Sequence, residues 1–223
     1  MGSDTPKQFL SLEGVPIMVH TLRKFNNADS IDEIYVGLRP EDMERARAEI
    51  EREQFSKPVR LVAGGGTRQQ TVTLALRQAP PTTEIVLVHD AVRPFVTVEM
   101  ISQAVDEARK SGAVILGIPS VDTVKQVERQ TVLGTIPRER IVLAQTPQAF
   151  RFNILKDACD RAEADGYEGT DESSLVERLG YTVTVLMGSD RNIKITKPSD
   201  LPLARLFLAQ EHEQAERRVK TLR

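Results

Sequence analysis

The chain has 223 residues, 40% hydrophobic and 28% charged, with a formal net charge of −2; that length suits one sizeable α/β domain over residues 1–223, and the charge argues against the concentrated basic face that nucleic acid needs. A single cysteine, Cys159, permits neither an internal disulfide nor a cysteine-built zinc site. No apolar run approaches the ~20 residues that span a bilayer, and no apolar stretch near Met1 resembles a signal peptide, so the sequence reads as a soluble, cytoplasmic protein with no membrane partner.

Taken in chain order, strand-like and helix-like segments alternate. Pro16 suits a first helical position, and Met18, Leu22 and Phe25 follow at helical spacing. Glu33–Gly37 (EIYVG) reads as a strand, Met43, Ala46 and Ile50 as a helix face, and Val59–Ala63 (VRLVA) as the next strand. Glu84–His89 (EIVLVH) is the most hydrophobic strand-like run. Thr97 then caps a helix carrying Ile101, Ala104, Val105 and Ala108, ahead of a strand at Ala113–Ile118. Helices follow at Phe152–Ala162 and Thr170–Leu179, the latter capped by Thr170 and closed by Gly180. Thr182–Met187 and Asn192–Thr196 read as strands, and a last helix starts near Ser199 with a charged, frayed end from Glu211. This alternation predicts a mostly parallel sheet with helices on its faces.

One segment breaks the alternation. Asp122–Val127 and Thr131–Ile136 read as two strands joined by Glu128-Arg129-Gln130, a protruding β-hairpin within residues 119–140. Two strands alone are marginal in water, which favours a dimerisation arm over a surface excursion.

Five clusters carry candidate chemistry, each at a strand end or loop, where open α/β sheets bind ligands. Lys7, held between Pro6 and the apolar Phe9, can meet a phosphate as a point charge, although a lysine near a terminus is ordinarily just solvated. Gly64-Gly65-Gly66 follows a strand and lets backbone groups approach a flat base, with Thr71 one turn further on to add a hydroxyl. A flexible turn explains the glycines equally well. Asp90 and Arg93, in HDAVRP, place an acid and a base at a strand terminus, to bind a metal or sugar hydroxyls and a phosphate respectively, or merely to shape the loop as an ion pair. His89 beside them reads as structural. Asp122-Thr123-Val124-Lys125 and Arg138 lie on the arm. Lys194, in the apolar run NIKIT, is costly to bury unless it faces a charged ligand, a partner or water.

Read together, PKQFL, GGGTRQQTV, VHDAVRPF, DTVK, TPQAF (Thr146–Phe150), GTDES (Gly169–Ser173) and NIKIT resemble, in order and spacing, the 2-C-methyl-D-erythritol 4-phosphate cytidylyltransferase family. The resemblance runs from Lys7 to about Leu208. It implies a Rossmann-like fold of the nucleotide-diphospho-sugar transferase type and transfer of a cytidylyl group from CTP to 2-C-methyl-D-erythritol 4-phosphate, releasing pyrophosphate. Mg²⁺ is expected to be carried mainly by the CTP phosphates, with no protein metal ligands. Lys7 and Lys194 match the family's catalytic lysines. Gly65, Gly66, Thr71 and Asp90 match its nucleotide side, and Arg93, Thr123, Arg138, Thr146 and Thr170 its substrate side. Thr123 and Arg138 are expected to reach a neighbouring subunit's site, which makes the homodimer functional. A ribitol-5-phosphate-type cytidylyltransferase and a non-catalytic dimeric binding protein are the alternatives.

The sequence departs from the family at one place. Members carry a buried strand and a loop of Ala-Ala-Gly-x-Gly-x-Arg type ahead of a methionine whose place Met1 takes here. Without them two strands are expected to keep unpaired edges, and loss of the loop arginine is expected to raise the barrier by ~2–4 kcal/mol. A late-assigned start, a fragment and a degenerate homologue all fit that departure.

Overall fold

The computed structural model describes residues 5–221. A short antiparallel pair, β1 (Ser11–Leu12) and β2 (Val15–Pro16), turns through Glu13 and Gly14, both at positive φ, and leads into α1 (Ile17–Asn26). Next come β3 (Ile34–Leu38), α2 (Met43–Glu51), β4 (Val59–Ala63), α3 (Arg68–Leu76) and β5 (Ile85–Val88). α4 (Val98–Ser111) precedes β6 (Ala113–Pro119), the hairpin β7 (Val124–Glu128) and β8 (Thr131–Ile136), and the long β9 (Val142–Arg151). α5 (Phe152–Ala164), α6 (Glu172–Arg178), β10 (Thr184–Met187) and α7 (Leu201–Thr221) complete the chain.

The chain divides into two compact units. The first contains Met1–Ala63, Asp90–Ile101 and Arg191–Arg223. In it β3 and β4 pair in parallel, and α1 and α2 bury Met18, Val19, Leu22 and Ala46 with Phe9, Val36 and Leu38. A second cluster gathers Leu12, Ile17, Phe95, Ile195, Ala204 and Leu208, and Phe95 meets Phe207 edge-to-face at 5.5 Å between ring centroids.

The second unit contains Gly64–His89 and Ser102–Asp190. Its four-stranded sheet runs in the order β10-β6-β9-β5, with β10 and β6 parallel and β9 antiparallel to both of its neighbours. The sheet is therefore mixed, with β9 as its reversed strand. Phe150 on β9 packs against Leu155, Ala158, Cys159, Leu175 and Val176 of α5 and α6. Among the described residues β3 pairs with β4 alone and β5 with β9 alone, so each keeps one edge without a ladder partner. All four β5 residues stay half-buried, despite being apolar.

Two sequence expectations change, and one strand goes unforeseen. Residues 192–196 form an extended loop instead of a strand, fixed where the Ile195 amide donates to the Val92 carbonyl at 2.9 Å. α6 is capped by Asp171, not Thr170: the Asp171 carboxylate accepts from the Ser174 amide at 2.9 Å, and Thr170 lies outside the helix and exposed. TPQAF is the middle of β9, a strand the alternation of apolar residues does not reveal. Thr97 does cap α4, accepting from the Met100 amide at 3.2 Å, and Gly180 closes α6 at φ +83°.

Candidate active site

In the first unit a polar cluster forms where the HDAVRP segment meets the 192–195 loop. The Asp90 carbonyl accepts from the Arg93 amide at 3.0 Å, a tight turn that brings the two side chains together. Arg93 Nε lies 3.4 Å from Asp90 Oδ2, and its Nη1 donates to the Asn192 carbonyl at 2.8 Å. Lys194 Nζ reaches the same Asp90 oxygen at 2.9 Å. The Asp90 and Arg93 side chains are 13% and 12% exposed, whereas Lys194 is 42% exposed. Burial pulls the Arg93 guanidinium below its ordinary pKa, and the Asp90 charge works against that shift. Two cations thus converge on one nearly buried carboxylate, a constellation that binds anionic oxygen when a ligand competes with Asp90. Lys194 carries no burial penalty, because its head is both open to water and paired.

Lys7 opens a 3₁₀ turn, Lys7–Phe9, whose buried Phe9 ring packs under Arg45 at 4.4 Å. The anchor fixes the turn and leaves the Lys7 side chain exposed, as its place between Pro6 and Phe9 predicts.

In the second unit the glycine loop ends in a capping box. The Thr67 hydroxyl accepts from the Gln70 amide at 3.2 Å, and Gln70 Oε1 accepts from the Thr67 amide at 3.3 Å and from the Gly66 amide at 2.8 Å. Thr71 accepts from the Gly65 amide at 3.1 Å and donates to the Thr67 carbonyl at 3.0 Å. Its hydroxyl therefore shapes the loop from within. A Cβ on Gly65 would stand 2.6 Å from that of Gln70, so only glycine fits there. Gly65 and Gly66 are exposed, and their amides are taken up within the loop by Thr71 and Gln70.

The loop sits beside GTDES within this unit. Arg68 Nη1 donates to both oxygens of Glu172, at 2.7 and 2.8 Å, and the Glu172 side chain is 2% exposed. Gln69 donates to the Tyr167 carbonyl and accepts from the Gly169 amide, both at 2.9 Å. On β9 the buried Gln148 donates to Asp171 at 2.7 Å and accepts from the Ser173 amide at 3.0 Å. The Thr146 hydroxyl lies 3.1 Å from His89 Nδ1, just before a cis Thr146–Pro147 bond. The β6–β9 ladder skips Thr146 and Pro147, a bulge that sets Thr146 apart from its neighbours in the strand. Gln148, Arg68 and Glu172 escape a search for isolated motifs. The signal that finds them is a charged or amide side chain next to each glycine- or threonine-bearing turn.

The hairpin forms with a two-residue turn in which Arg129 and Gln130 take φ of 44° and 72°. Arg138 Nη1 donates to the Val121 carbonyl at 2.8 Å, fastening the strands where they leave the sheet, and Thr123 is exposed at the same base.

Mixed α/β topology, a glycine-rich β–α loop and paired cations at a strand end are the frame of a nucleotidyltransferase. The family model described as IspD, 2-C-methyl-D-erythritol 4-phosphate cytidylyltransferase, matches residues 1–210. A curated relative of that name from Solibacter usitatus is 52% identical over 92% of this chain and 86% of its own length. One from Acidobacterium capsulatum is 51% identical over 94% and 91%. A crystal structure of 4-diphosphocytidyl-2C-methyl-D-erythritol synthase from Anaerococcus prevotii superposes with a TM-score of 0.85 at 31% identity, covering 93% of this chain and 92% of that one. The Thermus thermophilus cytidylyltransferase gives 0.77 at 34% identity, covering 92% and 94%. The chain belongs to the 2-C-methyl-D-erythritol 4-phosphate cytidylyltransferase family.

Proposed function

We propose that this chain transfers the cytidylyl group of CTP to 2-C-methyl-D-erythritol 4-phosphate, releasing pyrophosphate, in isoprenoid precursor synthesis by the non-mevalonate route. In this reading residues 1–223 act in the cytoplasm as one nucleotidyltransferase domain, without nucleic acid or membrane. The observation that carries it, in a member of this family, is the Asp90 carboxylate flanked by Lys194 and Arg93.

A phosphate oxygen of the polyol phosphate attacks the α-phosphorus of CTP in line, the bond to the bridging oxygen breaks, and pyrophosphate leaves. No proton has to move, so positioning and neutralisation of developing charge do the catalysis. Lys194, one of whose ammonium protons now faces Asp90, turns to the α-phosphate, and exposed Lys7 stabilises the same charge. Gly65 and Gly66 read the cytosine through their backbone, with Thr71 holding the loop, and Asp90 orients the nucleotide. Arg93, Thr146 and Thr170 line the substrate. Mg²⁺ carried by the triphosphate would supply charge neutralisation for the departing pyrophosphate. The hairpin joins a homodimer and carries Thr123 and Arg138 to the partner's site. Its exposed Val127, Val132 and Leu133 support that role.

The test is pyrophosphate release from CTP and Mg²⁺ with either polyol phosphate. Release with 2-C-methyl-D-erythritol 4-phosphate in clear preference to ribitol 5-phosphate is the expected result, and the opposite preference would overturn the substrate assignment.

A further inference from the structure

The ion pair between Arg68 and Glu172 has no part in the mechanism above, yet it lies between two of its segments. Arg68 is the first residue of α3, directly after the glycine loop, and Glu172 is the first residue of α6, directly after Thr170 and Asp171. One guanidinium nitrogen bonds both carboxylate oxygens. Glu172 is buried almost completely, and burial raises its carboxyl above the usual range while Arg68 opposes the shift. Gln69 adds two hydrogen bonds to the backbone at Tyr167 and Gly169. Gly169 lies this close against α6 because it has no side chain: a Cβ there would stand 2.4 Å from Ser174 Oγ and 2.6 Å from Leu175 Cδ2. On the far side, Gln148 clamps Asp171 and Ser173 to β9. The glycine loop is thus moored to the sheet through one charge pair with a buried carboxylate and through two amide clamps.

We infer that Arg68 and Glu172 are a positioning pair that fixes the height of the Gly65–Gly66 backbone, so that discrimination among bases depends on two side chains that touch no base. The inference rests on the cytidylyltransferase reading of that loop. Backbone donors and acceptors read a base edge only when held within a few tenths of an ångström, whereas triphosphate binding by mobile lysines tolerates a shift. Loosening the pair therefore lowers selectivity for cytosine more than it lowers affinity for nucleoside triphosphates.

The experiment is calorimetric titration of the full chain with CTP and with UTP, for the unaltered protein and for Arg68→Gln, Arg68→Lys and Glu172→Gln, with thermal melts alongside. Arg68→Gln is expected to weaken CTP binding about tenfold and UTP binding less than about twofold, with Arg68→Lys recovering most of the ratio. Because Arg68→Gln leaves a buried carboxylate without its counter-charge, Glu172→Gln, which removes that charge, gives the second reading and should lose selectivity in the same direction. Equal losses for CTP and UTP, or an unchanged ratio in both glutamine variants, would overturn the positioning role. An unaltered chain that binds neither nucleotide would instead defeat the cytidylyltransferase reading, and this inference with it.

Discussion

Lys194 Nζ and Asp90 Oδ2 are 2.9 Å apart, and Arg93 Nε approaches the same oxygen at 3.4 Å. The two cations differ in exposure: Arg93 is locked against the Asn192 carbonyl, while Lys194 is open enough to change partners. Lys194→Ala should therefore remove a charge from the reaction and little from the fold. Turnover is expected to fall ~10²–10³-fold, as for other single preorganised donors. A half-exposed ion pair contributes at most about 1 kcal/mol, so the unfolding midpoint should stay within about 4 °C. Pyrophosphate-release kinetics and calorimetry check both halves, and unchanged turnover would remove Lys194 from the mechanism.

The arm assignment has a complementation test. Arg138 fastens the hairpin base through the Val121 carbonyl and is exposed. If the chain forms the proposed homodimer, mixing Arg138→Ala and Lys194→Ala subunits makes half of the dimers heterodimers, and an arm acting in trans leaves one of the two sites in each intact. About a quarter of full activity should return by that statistic. An arm acting within its own subunit would restore none.

Much of the frame is legible in the sequence because strand and helix periods differ. Val59–Ala63 is a strand with the bounds its β-branched run implies, and Thr97 caps α4. The hairpin is legible too, since β8 matches Thr131–Ile136. β9 is not, because Gln145, Thr146 and Gln148 are polar yet buried, satisfied by partners on other segments. A strand that buries amides loses the alternation that announces it. The 192–196 run misleads in the opposite direction: Ile193 and Ile195 alternate with polar residues, but a single backbone bond to Val92 replaces a ladder. At α6, Thr170 and Asp171 are both able caps, and only the geometry at Ser174 decides for Asp171. Within the candidate site the Asp90–Arg93 pair is local and readable. The Arg68–Glu172 and Gln148–Asp171 contacts join residues far apart in the chain, and periodicity carries no trace of them.

The hairpin turn gives a prediction independent of chemistry. Arg129 and Gln130 both sit at positive φ, where side chains with a Cβ are strained and Asn-Gly is favoured. Arg129→Asn with Gln130→Gly should stabilise the β7–β8 pair by about 1 kcal/mol. Amide hydrogen exchange within 124–136 should slow about fivefold. Unchanged exchange would mean that the turn does not limit the stability of the hairpin.

His20 supplies a pH signature on the acid side. Its ring is 8% exposed on α1, and Nε2 lies 2.8 Å from the Leu12 carbonyl, which it must donate to because a carbonyl can only accept. Burial lowers its pKa below 6.5; the Leu12 bond works against that shift, and Arg23 and Lys24 add to it. The folded chain thus holds His20 neutral where the unfolded chain has begun to bind a proton. The resulting stability is present above pH 6.5 and is lost as pH falls from there through the lowered folded value. One proton limits the slope to about 1.4 kcal/mol per pH unit. His20→Gln keeps a donor toward Leu12 and removes the titration. It should lower the unfolding midpoint at pH 7 through poorer packing, yet lose less than the unaltered chain between pH 7 and pH 5. Denaturant melts across that range decide it, and parallel losses in the two proteins would assign the acid sensitivity to other groups.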